Sequence, residues 1–317
     1  MGRVIFGMIS NDSRPVGGIK VIFQAVGGLR RAGVEACILS TNSIPNWLQN
    51  NSLVADAEIL NANQLQRIDE TDLYVATDSF QAHRRELILS LGKRAIIFFQ
   101  NHTALKANTE VDWSEFFETP CIAVSYFTAK ALSDAGFKDV TVISPGIDAT
   151  IFKPARKKVH QICFMSRKWP GIEDVFQKNF GRKVRLIDID GQPETKVAEI
   201  MAGSTIFVSL GRNEGLGLPP LEAMAAGCLL CGFAAEGMLD YARKQNGFWA
   251  KEGDIDGCIA MISRALNTIS GDKALYQNML NSGLKTAQQY ALTEFTKNMN
   301  AFIQRRLQLY THYITPA

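Results

Sequence analysis

The sequence predicts an α/β protein of two domains, each built on a mostly parallel sheet. The chain has 317 residues, about twice the length of an ordinary domain. Short apolar runs alternate with segments of helical periodicity, which is the pattern of strands joined by crossover helices. "PGIDATIFKPARKK" at 145–158 interrupts the alternation with prolines, a glycine and a charge run, which indicates a linker. We therefore expect domains at 1–150 and 151–290, followed by a helix at 291–317.

The first half begins with a strand, a glycine-rich turn and a helix. "RVIFGMIS" is a strand-type run, and "RPVGGIKVIFQAVGGLRRAG" follows with apolar residues at helical spacing. Further apolar runs predict strands at 35–40, 72–77, 94–100, 121–125 and 139–144. "SFQAHRRELILSL" and "YFTAKALSDAG" have the helical pattern, so this half predicts a parallel sheet with crossover helices.

The second half repeats this alternation after the linker. Its predicted strands are "QICFMS", "KVRLIDID", "TIFVSL" and "CLLCGF", and its predicted helices are "GIEDVFQKNFG", "TKVAEIMAG" and "PPLEAMAAG". From Asp254 onward the pattern is almost entirely helical. Open parallel sheets bind ligands at the carboxyl ends of their strands, so motifs that directly follow a strand are the site candidates.

Composition excludes some classes of partner. The chain has 34 basic and 31 acidic residues, a net charge of +3 that does not indicate a nucleic-acid partner. Basic residues gather locally, and each cluster is either a solvated face or an anion site. The clusters are Arg156, Lys157 and Lys158; Arg167 and Lys168; and Arg182, Lys183 and Arg185.

The cysteines and the apolar runs indicate a cytoplasmic protein. The six cysteines lie mostly in apolar runs, and nothing near the first residues resembles a secretory signal. Cys228 and Cys231 form a CxxC without a second pair or a nearby histidine, so we predict a buried strand there rather than a metal site. No apolar run approaches the roughly 20 residues of a membrane span, which limits membrane contact to a peripheral one.

A glycine loop leads into a proline-initiated helix in "SLGRNEGLGLPPLEAMAAG", directly after a predicted strand. Proline suits the first turn of a helix, so Pro219 or Pro220 should mark the helix start. Gly215 and Gly217 allow a ligand to approach the backbone closely. Unpaired amides and the helix dipole favour an anion at this position.

Two carboxylates accompany this anion site. Glu214 lies in the loop and Glu222 near the start of the helix. Carboxylates accept hydrogen bonds from hydroxyls, so the pair fits a ligand that carries both phosphate and hydroxyl groups, such as a nucleotide sugar. A surface loop with a charged rim and a helix cap is the alternative.

The combined motifs resemble the retaining GT-B glycosyltransferases, specifically glycosyltransferase family 4. The spacing from Glu214 to Glu222, in "EGLGLPPLEAMAAG", is similar to that family's E-x7-E signature. "GGIKVIFQAVGGLRRAG", "IAVSYFTAKALSDAG", "VTVISPGIDATIFKP", "RLIDIDG", "AGSTIFVSL" and "NGFWAKEGD" resemble further family segments in the same order. The resemblance extends from residue 4 to about 255. It implies a GT-B fold, with two Rossmann-like domains facing a central cleft and a C-terminal helix at 291–317 that packs back across the domains.

The resemblance also implies roles for the residues of the second domain. Glu222 would hold the ribose hydroxyls and Glu214 the hydroxyls of the donor sugar. The family's Arg and Lys that grip the diphosphate correspond to Arg167 and Lys168, although the family usually spaces the two several residues apart. The backbone amides that would face the diphosphate belong to Gly215, Leu216, Gly217 and Leu218.

Three residues of the first domain complete the expected site. Gly17 and Gly18 would let the backbone approach the phosphates, although ordinary tight-turn duty explains such a pair about as well. His102, in "IIFFQNHTALK", corresponds to a family histidine beside the donor sugar, with a structural or exposed histidine as the alternative.

The "DID" at Asp188 to Asp190 resembles the aspartate pair with which GT-A glycosyltransferases bind a divalent ion. Here it ends a predicted strand and precedes a glycine, as a strand of the GT-B family does. We therefore expect a metal-independent enzyme with no cofactor.

The predicted reaction moves a sugar, with retention of configuration, from a nucleotide-diphosphate sugar to an acceptor hydroxyl in glycan or glycolipid biosynthesis. The expected acceptor is a glycan, a lipid-linked sugar or a small molecule, and the expected place of action is the cytoplasm, including the inner membrane face. A non-catalytic nucleotide-sugar-binding protein and a nucleotide-sugar epimerase or phosphorylase remain the alternatives.

Overall fold

The protein is described by a computed structural model over residues 2–7, 16–40, 43–48, 51–61, 68–80 and 84–311. Parts of several sequence predictions lie outside the described residues. These parts are the end of the first strand run at 8–10, the start of the glycine-rich segment at 14–15, helix residues 81–83 and the last residues of the tail at 312–317.

The chain divides into two compact units, of which unit 1 comprises Met1–Pro145 and Thr293–Ala317. Its described strands are β1 (Val4–Gly7), β2 (Ala36–Ser40), β3 (Ile59–Asn61), β4 (Leu73–Thr77), β5 (Ala95–Phe99), β6 (Cys121–Ala123) and β7 (Val140–Val142). They pair in parallel as a seven-stranded sheet within the described residues, in the order β3-β2-β1-β4-β5-β6-β7. The helices between them are α1 (Gly17–Arg31), α2 (Ser52–Ala55), α3 (Arg85–Leu91), α4 (Ala104–Ala107) and α5 (Tyr126–Ala135).

Unit 2 comprises Gly146–Leu292. Its strands are β8 (Val159–Phe164), β9 (Arg185–Asp188), β10 (Ser204–Leu210), β11 (Leu229–Ala234) and β12 (Gly247–Lys251). They form a parallel sheet in the order β12-β11-β10-β8-β9. The helices are α6 (Ile172–Phe180), α7 (Glu194–Gly203), α8 (Leu218–Ala225), α9 (Ile255–Gly271) and α10 (Lys273–Gln289). The prediction of two parallel-sheet α/β units is confirmed.

The last described helix, α11 (Leu292–Thr311), packs on unit 1. The Arg306 guanidinium lies 2.7 Å from the Asp139 carboxylate. A Cβ atom at Gly28, in α1, would come within 2.5 Å of Thr296, so only glycine allows α11 to approach α1 this closely.

Apolar faces explain why these elements pack as they do. Beneath the unit 1 sheet, the rings of Phe80, Phe99, Trp113, Phe116 and Phe137 contact one another mostly edge to face. In unit 2 every residue of β11 up to Phe233 is buried, which confirms the buried strand predicted at the CxxC. All six cysteines, which lie within the described residues, are buried free thiols. None of the described helices is long and apolar enough to cross a membrane.

Candidate functional site

A pocket lies where the strand order of unit 2 reverses. After β8 the chain adds β9 on one side and later β10 on the other, so the loops after β8 and β10 diverge at their carboxyl ends. The pocket there has a volume of about 390 Å³, counting space open to solvent. Both loops contribute to its lining, together with the start of α8 and the segment after β11; the lining includes Met165, Arg167, Lys168, Glu214, Pro219 and Met238.

Helix α8 begins at Leu218, one residue before Pro219, which was the first of the two predicted start positions, and both prolines lie in its first turn. The reason is Gly217, whose φ of +84° places it in the left-handed region and ends the loop. A Cβ atom there would also approach Met238 Cγ to 2.7 Å. The prolines that follow, Pro219 and Pro220, carry no N–H, so the amide donors at this helix start belong to Leu218 and the preceding loop.

Lys168 and Glu214 form an ion pair at the pocket. Lys168 Nζ lies 2.7 Å from Glu214 Oε1 and donates to the Arg212 carbonyl at 2.8 Å. Both side chains remain partly exposed, at 32% and 24%. Between Arg212 and Glu214, Asn213 has a φ of 51°, a conformation rare outside glycine that makes the sharp turn before Glu214. Glu214, which the sequence places in the loop before the helix, therefore has an ionic partner in the structure, the Lys168 ammonium.

An ion pair with Asp190, which follows the adjacent strand β9, orients Arg167. Its Nη1 lies 3.3 Å from Asp190 Oδ1, just beyond β9. Asp188 accepts a hydrogen bond from the Asp190 amide at 2.9 Å and contacts both the amide and the hydroxyl of Ser166. The two aspartates of the "DID" thus hold the loop that carries Arg167 and Lys168.

Carboxylates used in this way have less capacity for a divalent ion, which needs several oxygen ligands around one point. No group of three or more His, Cys, Asp or Glu side chains suited to a metal occurs among the residues that the structure describes. Metal independence stays a prediction.

Glu222 lies in the second turn of α8 rather than the first, because the helix begins at Leu218. Glu222 is buried, with only 5% of its surface exposed. Glu214 and the two prolines of α8 line the pocket. Residues 215–218 and Glu222 are close to them in sequence but are not among the lining residues. The structure therefore brings Arg167, Lys168 and Glu214 together at one pocket, whereas Glu222 is buried and is not among the residues that line it.

The predicted site residues of unit 1 lie at the carboxyl ends of its strands. Gly17 and Gly18 begin α1, and the Gly18 carbonyl accepts a hydrogen bond from Gln100 Nε2 at 3.0 Å. A Cβ atom at Gly18 would come within 2.2 Å of Gln100 Oε1, so packing within unit 1 already explains why glycine occupies this position. His102 follows β5 and packs edge to face on Phe127 of α5, with ring centroids 4.9 Å apart.

A buried carboxylate positions the loop before His102. Asp78 Oδ2 accepts hydrogen bonds from the amides of Gln100 and Asn101, both at 2.8 Å. Burial raises the pKa of Asp78 from 3.8 to about 6, against the opposing effect of these amides. Sequence reasoning missed Asp78, since a single aspartate after a strand carries no distinctive pattern.

This pKa predicts a pH dependence of stability. Because the folded pKa lies above the unfolded one, folding is favoured by protonation, and this contribution is present below pH 4 and lost as the pH rises through about 6. The rise in pKa corresponds to about 3 kcal/mol. We expect Asp78→Asn to remove a fall of this order in the free energy of unfolding between pH 4 and 7, measured by equilibrium denaturation. Asp134→Asn, on the exposed face of α5, is the control, and an unchanged pH profile in Asp78→Asn would contradict the assignment.

Two further features of unit 2 escaped sequence reasoning. Lys158 belongs to a charge run that resembles a solvated face, but its ammonium donates to the carbonyls of Ala202, Ser204 and Ala226, all at 2.8 Å. Burial lowers the pKa of this lysine. Tyr241 lies in a segment without any recognised motif, and its hydroxyl donates to the Gly217 carbonyl at 2.6 Å. Both use backbone acceptors, which leave no mark in the sequence.

The chain is similar to known glycosyltransferases in sequence. Residues 178–283 match the family described as "Glycosyl transferases group 1". An alpha-1,6-glucosyltransferase of Actinobacillus pleuropneumoniae serotype 7 (strain AP76) is 29% identical over 235 residues, which cover 70% of each chain.

Solved structures show the same fold. The sucrose-phosphate synthase of Thermosynechococcus elongatus superimposes with a TM-score of 0.73 at 12% identity, covering 98% of this chain and 100% of that one. Anabaena Alr3699/HepE, solved in complex with UDP-glucose, superimposes with a TM-score of 0.69 at 13% identity, covering 96% of this chain and 99% of that one. At these identities the likeness establishes the GT-B fold and nothing further.

Proposed function

We propose that this chain, which carries a glycosyl transferases group 1 domain on a GT-B fold, is a retaining, metal-independent glycosyltransferase of family 4. It would transfer a sugar from a nucleotide-diphosphate sugar to an acceptor hydroxyl. The observation that carries the proposal is the convergence of Arg167, Lys168 and Glu214 in one pocket beside the start of α8. The matching family segment and the resemblance of the signature motif support it.

The cations and the loop amides would act on the departing diphosphate. As the bond to the sugar breaks, negative charge grows on the leaving phosphate, and fixed cations beside it stabilise that charge. Arg167 and Lys168 are held by Asp190 and Glu214 respectively, so both are oriented before a ligand arrives. The amides of Gly215, Leu216, Gly217 and Leu218 would contribute further donors at the positive end of α8.

The carboxylates would select the hydroxyl-bearing parts of the donor. Glu214 would accept hydrogen bonds from the sugar hydroxyls while it keeps its ion pair with Lys168. Glu222 would accept from the ribose hydroxyls. In unit 1, Gly17 and Gly18 keep the role of letting the backbone approach the phosphates, and His102 keeps its place beside the donor sugar. His102→Ala tests the histidine, because it should lower the rate of sugar transfer.

UDP-glucose is the first donor to test. A relative is named as a glucosyltransferase, and a structural neighbour was solved with UDP-glucose. The acceptor would be a glycan, a lipid-linked sugar or a small molecule, used in the cytoplasm or at the inner membrane face during glycan or glycolipid biosynthesis. No cofactor is required for this chemistry.

A thermal-shift screen of nucleotide sugars tests the donor site. A ligand at a hundred times its Kd stabilises the native protein by about 2.7 kcal/mol, which is readily seen as a rise in Tm. We expect UDP-glucose or a related donor to raise the Tm of the wild type, and Glu222→Gln to abolish most of that rise. Glu199→Gln, on the exposed face of α7, should respond like the wild type. If no nucleotide sugar raises the Tm of the wild type, the donor site is wrong.

A further inference from the structure

A short 3-10 turn packs against the loop that is proposed to receive the diphosphate. This turn spans Glu236–Asp240 and follows β11, and Tyr241 comes directly after it. We propose that Gly237 and Tyr241 clamp the 214–218 loop from behind and aim its amides at the phosphates. Tyr241 is then a positioning residue of the reaction. The inference rests on the proposed function, since it assigns a cause to the loop geometry that the donor requires.

The clamp consists of two hydrogen bonds to loop carbonyls. The Gly237 amide donates to the Glu214 carbonyl at 3.0 Å. The Tyr241 hydroxyl donates to the Gly217 carbonyl at 2.6 Å, and Tyr241 is 3% exposed. Burial raises the pKa of Tyr241 well above its ordinary value, so the hydroxyl keeps its proton and remains a donor.

These bonds determine the direction of two loop amides. In a trans peptide the carbonyl of one residue and the N–H of the next point in opposite directions, and the described residues contain no cis peptide bond. Because the Glu214 carbonyl points to Gly237, the Gly215 N–H points away from the turn. In the same way, the Gly217 carbonyl points to Tyr241, and the Leu218 N–H points away from it.

The two backbones touch so closely that the turn cannot shift freely. A Cβ atom at Gly237 would come within 2.0 Å of the Gly215 carbonyl oxygen, which excludes any side chain there. Met238, between the two clamping residues, contributes to the wall of the pocket. The turn therefore supports the loop on one side and forms part of the binding surface on the other.

Tyr241 is itself held from two directions. Its carbonyl accepts a hydrogen bond from Asn246 Nδ2 at 2.8 Å, and its ring packs edge to face on Tyr290 with centroids 5.6 Å apart. Both contacts hold Tyr241 in the position from which its hydroxyl reaches the Gly217 carbonyl. A phenylalanine at this position would keep the ring contact and remove only the hydrogen bond to the loop.

The test compares Tyr241→Phe with Tyr276→Phe, the same change on α10 of the same unit, where the ring packs against the core. The probes are UDP and uridine, whose Kd values are measured by titration calorimetry and NMR. We expect Tyr241→Phe to weaken UDP binding about fivefold to tenfold, as the loss of one hydrogen bond implies. Uridine binding should stay within about twofold, because the clamp acts on amides that face phosphates. Tyr276→Phe should bind both probes like the wild type.

Two results would contradict the proposed clamp and leave the proposed function intact. One is unchanged UDP affinity in Tyr241→Phe, and the other is an equal loss for UDP and uridine, which would indicate general loosening of unit 2. If the wild type bound no nucleoside diphosphate, whether UDP, GDP or ADP, the proposed function itself would fail and the clamp with it. The measurements on the wild type thus separate the two failures.

Discussion

Replacing Arg167 by alanine is expected to lower kcat/KM for sugar transfer by about a hundredfold to a thousandfold. This is the usual effect of removing one fixed donor from developing charge in a transition state. Arg167 lines the pocket and its guanidinium lies 3.3 Å from the Asp190 carboxylate, so the substitution removes a cation that is already oriented. Steady-state kinetics with the best donor of the screen would measure the effect. It should appear mainly in kcat, because the charge on the leaving phosphate is greatest in the transition state.

Arg182→Ala is the matched control, since Arg182 belongs to an exposed basic cluster of the same unit. Its kcat/KM should stay within about twofold of the wild type. Arg167→Lys should recover part of the lost rate, because a lysine restores the charge without the planar fork of the guanidinium. A variant Arg167→Ala with wild-type kinetics would remove Arg167 from the proposed mechanism.

Lys158→Met is expected to lower the free energy of unfolding of unit 2 by about 3 kcal/mol. The lysine ammonium joins the end of α7, the start of β10 and the residue after α8 through three carbonyls. Methionine keeps much of the side-chain volume but removes the short hydrogen bond to each carbonyl. The Ala202 and Ser204 carbonyls then keep longer contacts, from the Ala155 amide at 3.4 Å and the Cys228 thiol at 3.5 Å, and a poorly satisfied buried acceptor is costly. For a unit of this size the change corresponds to a fall in Tm of roughly 6–12 °C, measured by calorimetry.

Lys157→Met provides the comparison for this prediction, because Lys157 is exposed and adjacent in sequence. Its Tm should change by less than about 2 °C, as most surface substitutions do. Equal Tm values for the two variants would show that the carbonyls around Lys158 find other donors. Donor binding should weaken in Lys158→Met only near its Tm, since Lys158 supports the helix that carries Glu222 rather than the pocket itself.

Much of the fold follows from sequence periodicity. Most of the strands lie where apolar runs predict them, since buried parallel strands are continuous apolar segments. β3 was missed because Ile59 and Leu60 are its only apolar residues and they are only partly buried. The start of α8 was displaced by one residue because Gly217, rather than a proline, ends the loop.

The candidate site was predictable only in part, and for a physical reason. Arg167, Lys168 and Glu214 stand out because charged residues follow strand ends, and the structure brings them together. Residues that act through backbone carbonyls are different. Lys158 looks like its exposed neighbours, and Tyr241 contacts a residue 24 positions away along the chain. Any donor side chain could serve such acceptors, so no pattern of residue types reveals them.

Proton NMR of turnover tests the central claim most directly. The protein would be incubated with an α-linked nucleotide sugar such as UDP-glucose, with and without a panel of glycan, lipid-linked and small-molecule acceptors, and the first-formed sugar product would be followed in real time. We expect release of the nucleoside diphosphate and an anomeric proton with the small coupling constant of an α product. A β product, or the absence of any nucleoside diphosphate release with every donor that binds, would contradict the assignment of this chain as a retaining glycosyltransferase.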